Sequence, residues 1–292
     1  VNLALLRKLS LLLLAITPAP AFADGSTASE TDTEIAFEQI ELAIAAGRLV
    51  QAGSMLNGIQ TGLSDKQIER HALLSAELNM AVGDPVAAAK ALAPLSADTA
   101  EPCRYGAVAG WLAYESGDWN RAITMLAKSV ETCAADPGRW NLLGLALMRK
   151  KELPAALEAF DRALILAPAH AALLNNRALV HAYSGQTEAA IAGLERAAQL
   201  EPANGGIIAN LAVLKANAGI SPDVNGAQSP KVQAMILEKA GQGALAADRV
   251  EAARSYFTEA LLRSERFDQN LWASATSAQS AVEQGPIDAS HN

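Results

Sequence analysis

The side chains able to do covalent or metal chemistry are few in this 292-residue chain: two cysteines, Cys103 and Cys133, and four histidines, His71, His170, His181 and His291. The histidines are scattered. None belongs to an H-E-x-x-H helix, and no cysteine pair has ligand spacing, so no metal and no cofactor is expected. His181 reads as a packing residue. Gly241-Gln242-Gly243 is a fragment of a phosphate-loop pattern without the strand that must precede it, and it carries no phosphate-binding expectation. Asp and Glu are spread along apparent helix surfaces, where solvated faces are the default. No catalytic constellation emerges, and the chain is not expected to be an enzyme.

The elements that would position any site are repeats. From Pro137 to Asn204 two 34-residue units lie back to back. The first sets Trp140, Leu143, Gly144 and Leu147 ahead of Ala156, Phe160, Ala163 and Pro168, and the second answers with Leu174, Ala178, Gly185, Ala190, Leu194, Ala197 and Pro202. Apolar residues three, four and seven apart give each helix one apolar stripe. Small residues mark close helix approach, and prolines close the second helices. A lone hairpin cannot bury both stripes, so such units stack in arrays. Gly47, Gly83, Gly117, Gly185 and Gly219 mark the turns, and Lys151 stands halfway through the 68-residue gap. Scarce aromatics (4%) and few β-branched runs fit an all-α reading. In an antiparallel hairpin the start of the first helix lies beside the end of the second, so Cys103 and Cys133, at positions one and thirty-one of one repeat, either form a disulfide or remain two core thiols.

These motifs resemble the tetratricopeptide-repeat (TPR) family. The resemblance implies an all-α superhelical solenoid of antiparallel helix pairs, with a concave groove lined by the first helices that takes a protein or peptide segment. Carried onto this chain, the groove positions are Arg104, Trp111, Tyr114 and Glu115, then Asn141, Leu145, Met148 and Arg149, then Asn175, Asn176, Leu179, Tyr183, Asn210, Val213 and Asn217. The asparagines draw notice because each amide both donates and accepts, while Asn is a mediocre helix former. They either read a partner's backbone or bond within and between repeats. Trp111 and Tyr183 are expected as apolar anchors and Arg149 as the partner of an acidic group. Arg177 occupies a normally apolar position, so its surroundings test the register. The runs Asn175-Asn176-Arg177-Ala178-Leu179 and Ile208-Ala209-Asn210-Leu211-Ala212, the Leu200-Glu201-Pro202 ending and the Ser221-Pro222 break look like the TPR proteins of bacterial tight-adherence (Tad, or Flp) pilus loci, which implies a role in assembling an envelope machine.

The domain reading follows the chain. Residues 1–23 are a secretory signal: Arg7 and Lys8 precede an apolar run too short to span a bilayer, and Ala21-Phe22-Ala23 supplies a cleavage site. A flexible linker is expected over 24–32, divergent repeats over 33–102, core repeats over 103–220, a loop over 221–230, a last repeat with a capping helix over 231–284, and a disordered tail over 285–292. Losing Arg7 and Lys8 with the leader takes the net charge from −8 to −10, which argues against nucleic acid. The expected protein is periplasmic or secreted, with no stable membrane anchor after signal cleavage. It is expected to be a non-catalytic scaffold of a pilus or secretion machine. The alternative is an accessory targeting subunit of a cell-wall-synthesis enzyme complex. Self-association through an end repeat is a third arrangement.

Overall fold

The computed structural model describes residues 30–59, 61–96, 98–224 and 229–284. The signal segment 1–23, residues 24–29 of the expected linker, residues 225–228 of the expected loop and the tail 285–292 lie outside the described residues. Fourteen helices and no strand occur among the described residues. The all-α architecture of paired helices expected from the sequence is the one found. The chain divides into two compact units, 1–133 and 134–292.

The first unit holds α1 (Glu30–Ala45), α2 (Leu49–Asn57), α3 (Asp65–Val82), α4 (Pro85–Leu92), α5 (Pro102–Glu115) and α6 (Trp119–Thr132), three successive antiparallel hairpins. Helix α1 begins at Glu30, three residues inside the stretch expected as linker, and its first buried side chain is that of Thr33. Phe37, Ile40, Ala52, Leu56 and Leu74 close one core, and burial of each large side chain is worth about 1.5–3 kcal/mol. Consecutive first helices α1, α3 and α5 touch one another and form a row. Asp84 and Asp118 cap α4 and α6, accepting from the backbone N–H of Ala87 and Arg121. Cys103 and Cys133 are joined as a disulfide, with Cα atoms 6.0 Å apart, tying the start of α5 to the end of α6. Beside it the Ser129 hydroxyl donates to the Cys103 carbonyl at 2.8 Å.

The second unit holds α7 (Pro137–Arg149), α8 (Leu153–Leu166), α9 (Ala171–Tyr183), α10 (Thr187–Leu200), α11 (Gly205–Asn217), α12 (Pro230–Ala246), α13 (Val250–Arg263) and α14 (Gln269–Gln284). The first helices α7, α9 and α11 again touch in a row. A repeated contact builds two of the hairpins: a Cβ on Gly144 would stand 2.7 Å from the Phe160 ring, and one on Gly241 2.5 Å from Phe257. In the first unit Gly110 meets Leu126 in the same way, and all three pairs are sixteen residues apart. The turn between α7 and α8 is made by Lys151 in the left-handed region (φ 62°), the conformation that glycine takes at the other hairpin turns of the 34-residue frame. Asp248 does the same between α12 and α13.

The expected loop over 221–230 is shorter than its bounds, since Ser229 caps α12 and Pro230 opens it. No second helix follows α11 before that loop. Helix α12 packs directly on α11 instead, close enough that a Cβ on Gly243 would run into the Val213 carbonyl. Lys215 on α11 is buried between Glu195 of α10 (2.8 Å) and Asp223 of the loop (3.0 Å). Burial pushes its ammonium down, and hydrogen bonds to both carboxylates outweigh this and hold it above its ordinary value.

Candidate partner-binding face

In the second unit four of the five expected asparagines come together. Asn210 on α11 donates through Nδ2 to Oδ1 of Asn175 on α9 at 2.8 Å. Asn175 donates to its neighbour Asn176 at 3.1 Å, and Asn176 donates to Oδ1 of Asn141 on α7 at 2.9 Å. One unbroken run of amide hydrogen bonds therefore crosses three consecutive first helices. All four side chains are half-buried. The pairs 141/176 and 175/210 are each 35 residues apart, one more than the repeat. The shift arises because neighbouring first helices meet at adjacent positions, not at equivalent ones.

The run uses one N–H and one lone pair of each interior amide. Each Asn side chain has two N–H groups and two lone pairs on its oxygen, so spare capacity of both kinds stays along the row. Flanking the amides, Leu145, Leu179 and Val213 form a half-buried apolar row at one repeat position. Tyr183, near the end of α9, is 68% exposed. Arg149 is exposed at the end of α7, and Asn217 is half-buried at the end of α11. Arg177 reaches across to Asp161 on α8, with its buried Nε 2.6 Å from the carboxylate, which explains a charged residue at a normally apolar position.

The site residues expected in the first unit behave differently. Trp111 is only 8% exposed, so its ring is core and offers no open anchor, a correction to its expected role. Arg104 is likewise committed within the protein, to Glu41 (2.8 Å), Glu77 (2.8 Å) and Glu101 (2.6 Å), and is not held ready for a partner. Tyr114 packs edge-on against Trp119 with ring centroids 5.2 Å apart.

Arg70 completes this network, pairing with Glu34, with Glu41 at 2.6 Å and with Glu101 at 3.9 Å, and its guanidinium lies 5.5 Å from the Phe37 ring centroid. Burial lowers the Arg70 pKa, but the hydrogen bond to Glu41 and the fields of the surrounding carboxylates leave it raised. The network escaped the sequence reading. Its signal was there: Arg70 and Arg104 are 34 apart, and Glu41 and Glu77 each precede a turn glycine by six residues.

His71 contacts the Leu56 carbonyl through Nε2, and His181 contacts Gln186 within the turn after α9. Among the described residues no group of three or more His, Cys, Asp or Glu is arranged to hold a metal ion, and no helix is long and apolar enough to cross a membrane.

Two family models, each described as a tetratricopeptide repeat, match residues 142–214 and 108–171. No curated protein matches the chain. Among solved structures, a chain of the APC/C hetero-tetramer Cut9–Hcn1 is similar at 13% identity, over 84% of this chain and 49% of that one, with a TM-score of 0.57. TTC0263, a thermophilic TPR protein of Thermus thermophilus, is similar at 20% identity over 73% of this chain and 100% of its own, with a TM-score of 0.47. MamA from Desulfovibrio magneticus RS-1 is similar at 17% identity over 69% and 97%, with a TM-score of 0.48. At these identities the likeness bears on fold alone, and only the first rises above 0.5. Together with the repeated glycine contacts and the 34-residue frame, the two matches identify residues 108–214 as tetratricopeptide repeats, in a chain whose described residues form helices and no strands.

Proposed function

We propose that this protein is a non-catalytic scaffold that captures a segment of a partner protein along the first-helix row of its second unit. The amide run from Asn210 to Asn141 carries the reading. Four asparagines in helix interiors cost helix propensity, and their spare donors and acceptors match the alternating N–H and C=O of an extended backbone. The apolar row of Leu145, Leu179 and Val213 beside them would take the segment's side chains, and Tyr183 and Arg149 would anchor it further.

The setting we infer is the bacterial envelope, in the assembly of a Tad/Flp-type pilus or secretion machine. Its supports are the leader-like residues 1–23 and the likeness of the 175–179, 200–202 and 208–212 runs to that group. The test is a cross-linked pull-down from native envelopes with the wild-type chain and with Asn175→Ala/Asn176→Ala. Secretin or platform components captured by the wild type and lost by the variant are the expected result. Equal capture by a folded variant removes the amide row from the reading, and capture of cell-wall synthases in their place moves the protein to the other complex.

A further inference from the structure

The first unit has an opening that its repeat pattern does not call for. Between α4 and α5 lies an open cleft of about 640 Å³, walled by Pro85, Val86 and Ala89 on one side and by Tyr105, Ala109 and Leu112 on the other. Its lining is mostly apolar, and Val86 is 79% exposed.

Comparison with the second unit shows why it is open. At repeat positions equivalent to Ala89 the second unit has Leu157 and Ile191, and at those equivalent to Ala109 it has Arg177 and Leu211. The α8–α9 interface thus has Leu157 and Arg177 where this one has two alanines, and the α10–α11 interface has Ile191 and Leu211. Two bulky side chains are missing from facing walls at the same place. A lone alanine in a repeat is unremarkable, but two opposite one another leave room for two aliphatic side chains from outside. The rim adds charge. Arg121 and Glu115 both line the cleft and are exposed, and neither forms an ion pair among the described residues.

We infer that this cleft docks an amphipathic helix of a partner protein, with two apolar side chains one turn apart filling the places opposite Ala89 and Ala109 and an acidic residue meeting Arg121. The dimensions favour a helix. The α4 wall runs the length of Pro85–Leu92, about 12 Å at 1.5 Å per residue, which spans two helical turns. Its two walls are the neighbouring faces of two helices, the kind of surface into which a third helix packs by i and i+4 contacts. The site is separate from the asparagine row and does not depend on it.

The test uses the full chain and a fluorescein-labelled, side-chain-stapled 12-residue helix carrying leucines at i and i+4 and glutamate at i+7. Saturable binding is expected, weakened at least tenfold in Ala89→Ile/Ala109→Leu, which restores the bulk found in the other repeats. Arg121→Glu, an exposed change that keeps the fold if the filled variant does not, should weaken binding and regain it with a peptide bearing lysine in place of glutamate. Asn175→Ala should leave binding unchanged. Absence of saturable binding, or binding indifferent to both the filling and the charge reversal, overturns the assignment. So does a concentration-dependent dimer of the wild type that the filled variant abolishes, since a second copy would then be the occupant.

Discussion

The two units use one repeat frame and place polarity at opposite positions within it. Thirteen and six residues before each hairpin turn, the first unit has Glu34 with Glu41, then Arg70 with Glu77, and then Arg104 with Trp111. The second has Gly138 with Leu145, Ala172 with Leu179, and Gly206 with Val213. Between these positions the pattern inverts: Phe37, Leu73 and Leu74 are buried in the first unit, where the second has Asn141, Asn175 and Asn176. One row is thus closed by charges that satisfy each other, and the other holds neutral amides with valence to spare. Repeat geometry fixes where side chains go, and composition at two or three positions decides whether a row holds itself shut or stays available.

Several measurements would break or sharpen that contrast. The largest effect should come from the bond that only the first unit has. Reducing Cys103–Cys133, or replacing both with serine, should cost about 3–4 kcal/mol in the chain-entropy account for a loop of this size. Hydrogen exchange followed helix by helix should show the loss in α5 and α6 and leave α9 to α11 unchanged. Equal loosening in both units would mean that they do not respond separately.

Next in size is Arg104→Met, which takes a guanidinium away from Glu41, Glu77 and Glu101 and leaves Arg70 paired with Glu41 and Glu101. The expected loss is about 2 kcal/mol, below that of a fully buried pair because these side chains keep some exposure. Added salt should shrink the deficit in urea melts, since the lost attraction is screened in the wild type. Asn175→Ala removes two neutral hydrogen bonds and should cost about 1 kcal/mol, with no response to salt. A salt-dependent Asn175→Ala deficit would contradict the contrast directly.

The smallest effect concerns Lys215. Its pKa is raised in the folded chain, so its contribution is fully present below the unfolded value, near 10.5, and is lost as pH rises through the folded value. Alkaline titration should therefore loosen α11 and its following loop in the wild type, and Lys215→Met should flatten that part of the profile. An identical profile in the variant would assign the loss elsewhere.

Much of this architecture was legible in the residues because it is local. The 34-residue frame assigned the turn to Lys151 although no glycine stands there, and the structure finds it in the left-handed conformation. Positions one and thirty-one brought the cysteines together through hairpin geometry alone. What stayed hidden depends on contacts between helices. Arg104 looked like a groove residue until Glu41 and Glu77 arrived from two other first helices, and Arg177 had no rationale until Asp161 on the preceding helix faced it. Trp111 shares the repeat position of Leu145 and Leu179, but its ring is buried while theirs stay half open. The packing of α12 on α11 had no sequence signal beyond Gly243, whose meaning appears only once the Val213 carbonyl is seen against it.

The amide run has one more property, set by its order. Every link donates toward α7: Asn210 to Asn175, Asn175 to Asn176, Asn176 to Asn141. Four aligned amides add as a small vector, hydrogen leading at Asn141 and oxygen trailing at Asn210. The row thus has unlike ends of its own, amide hydrogen toward α7 and amide oxygen toward α11, although the helices that carry it alternate with antiparallel partners.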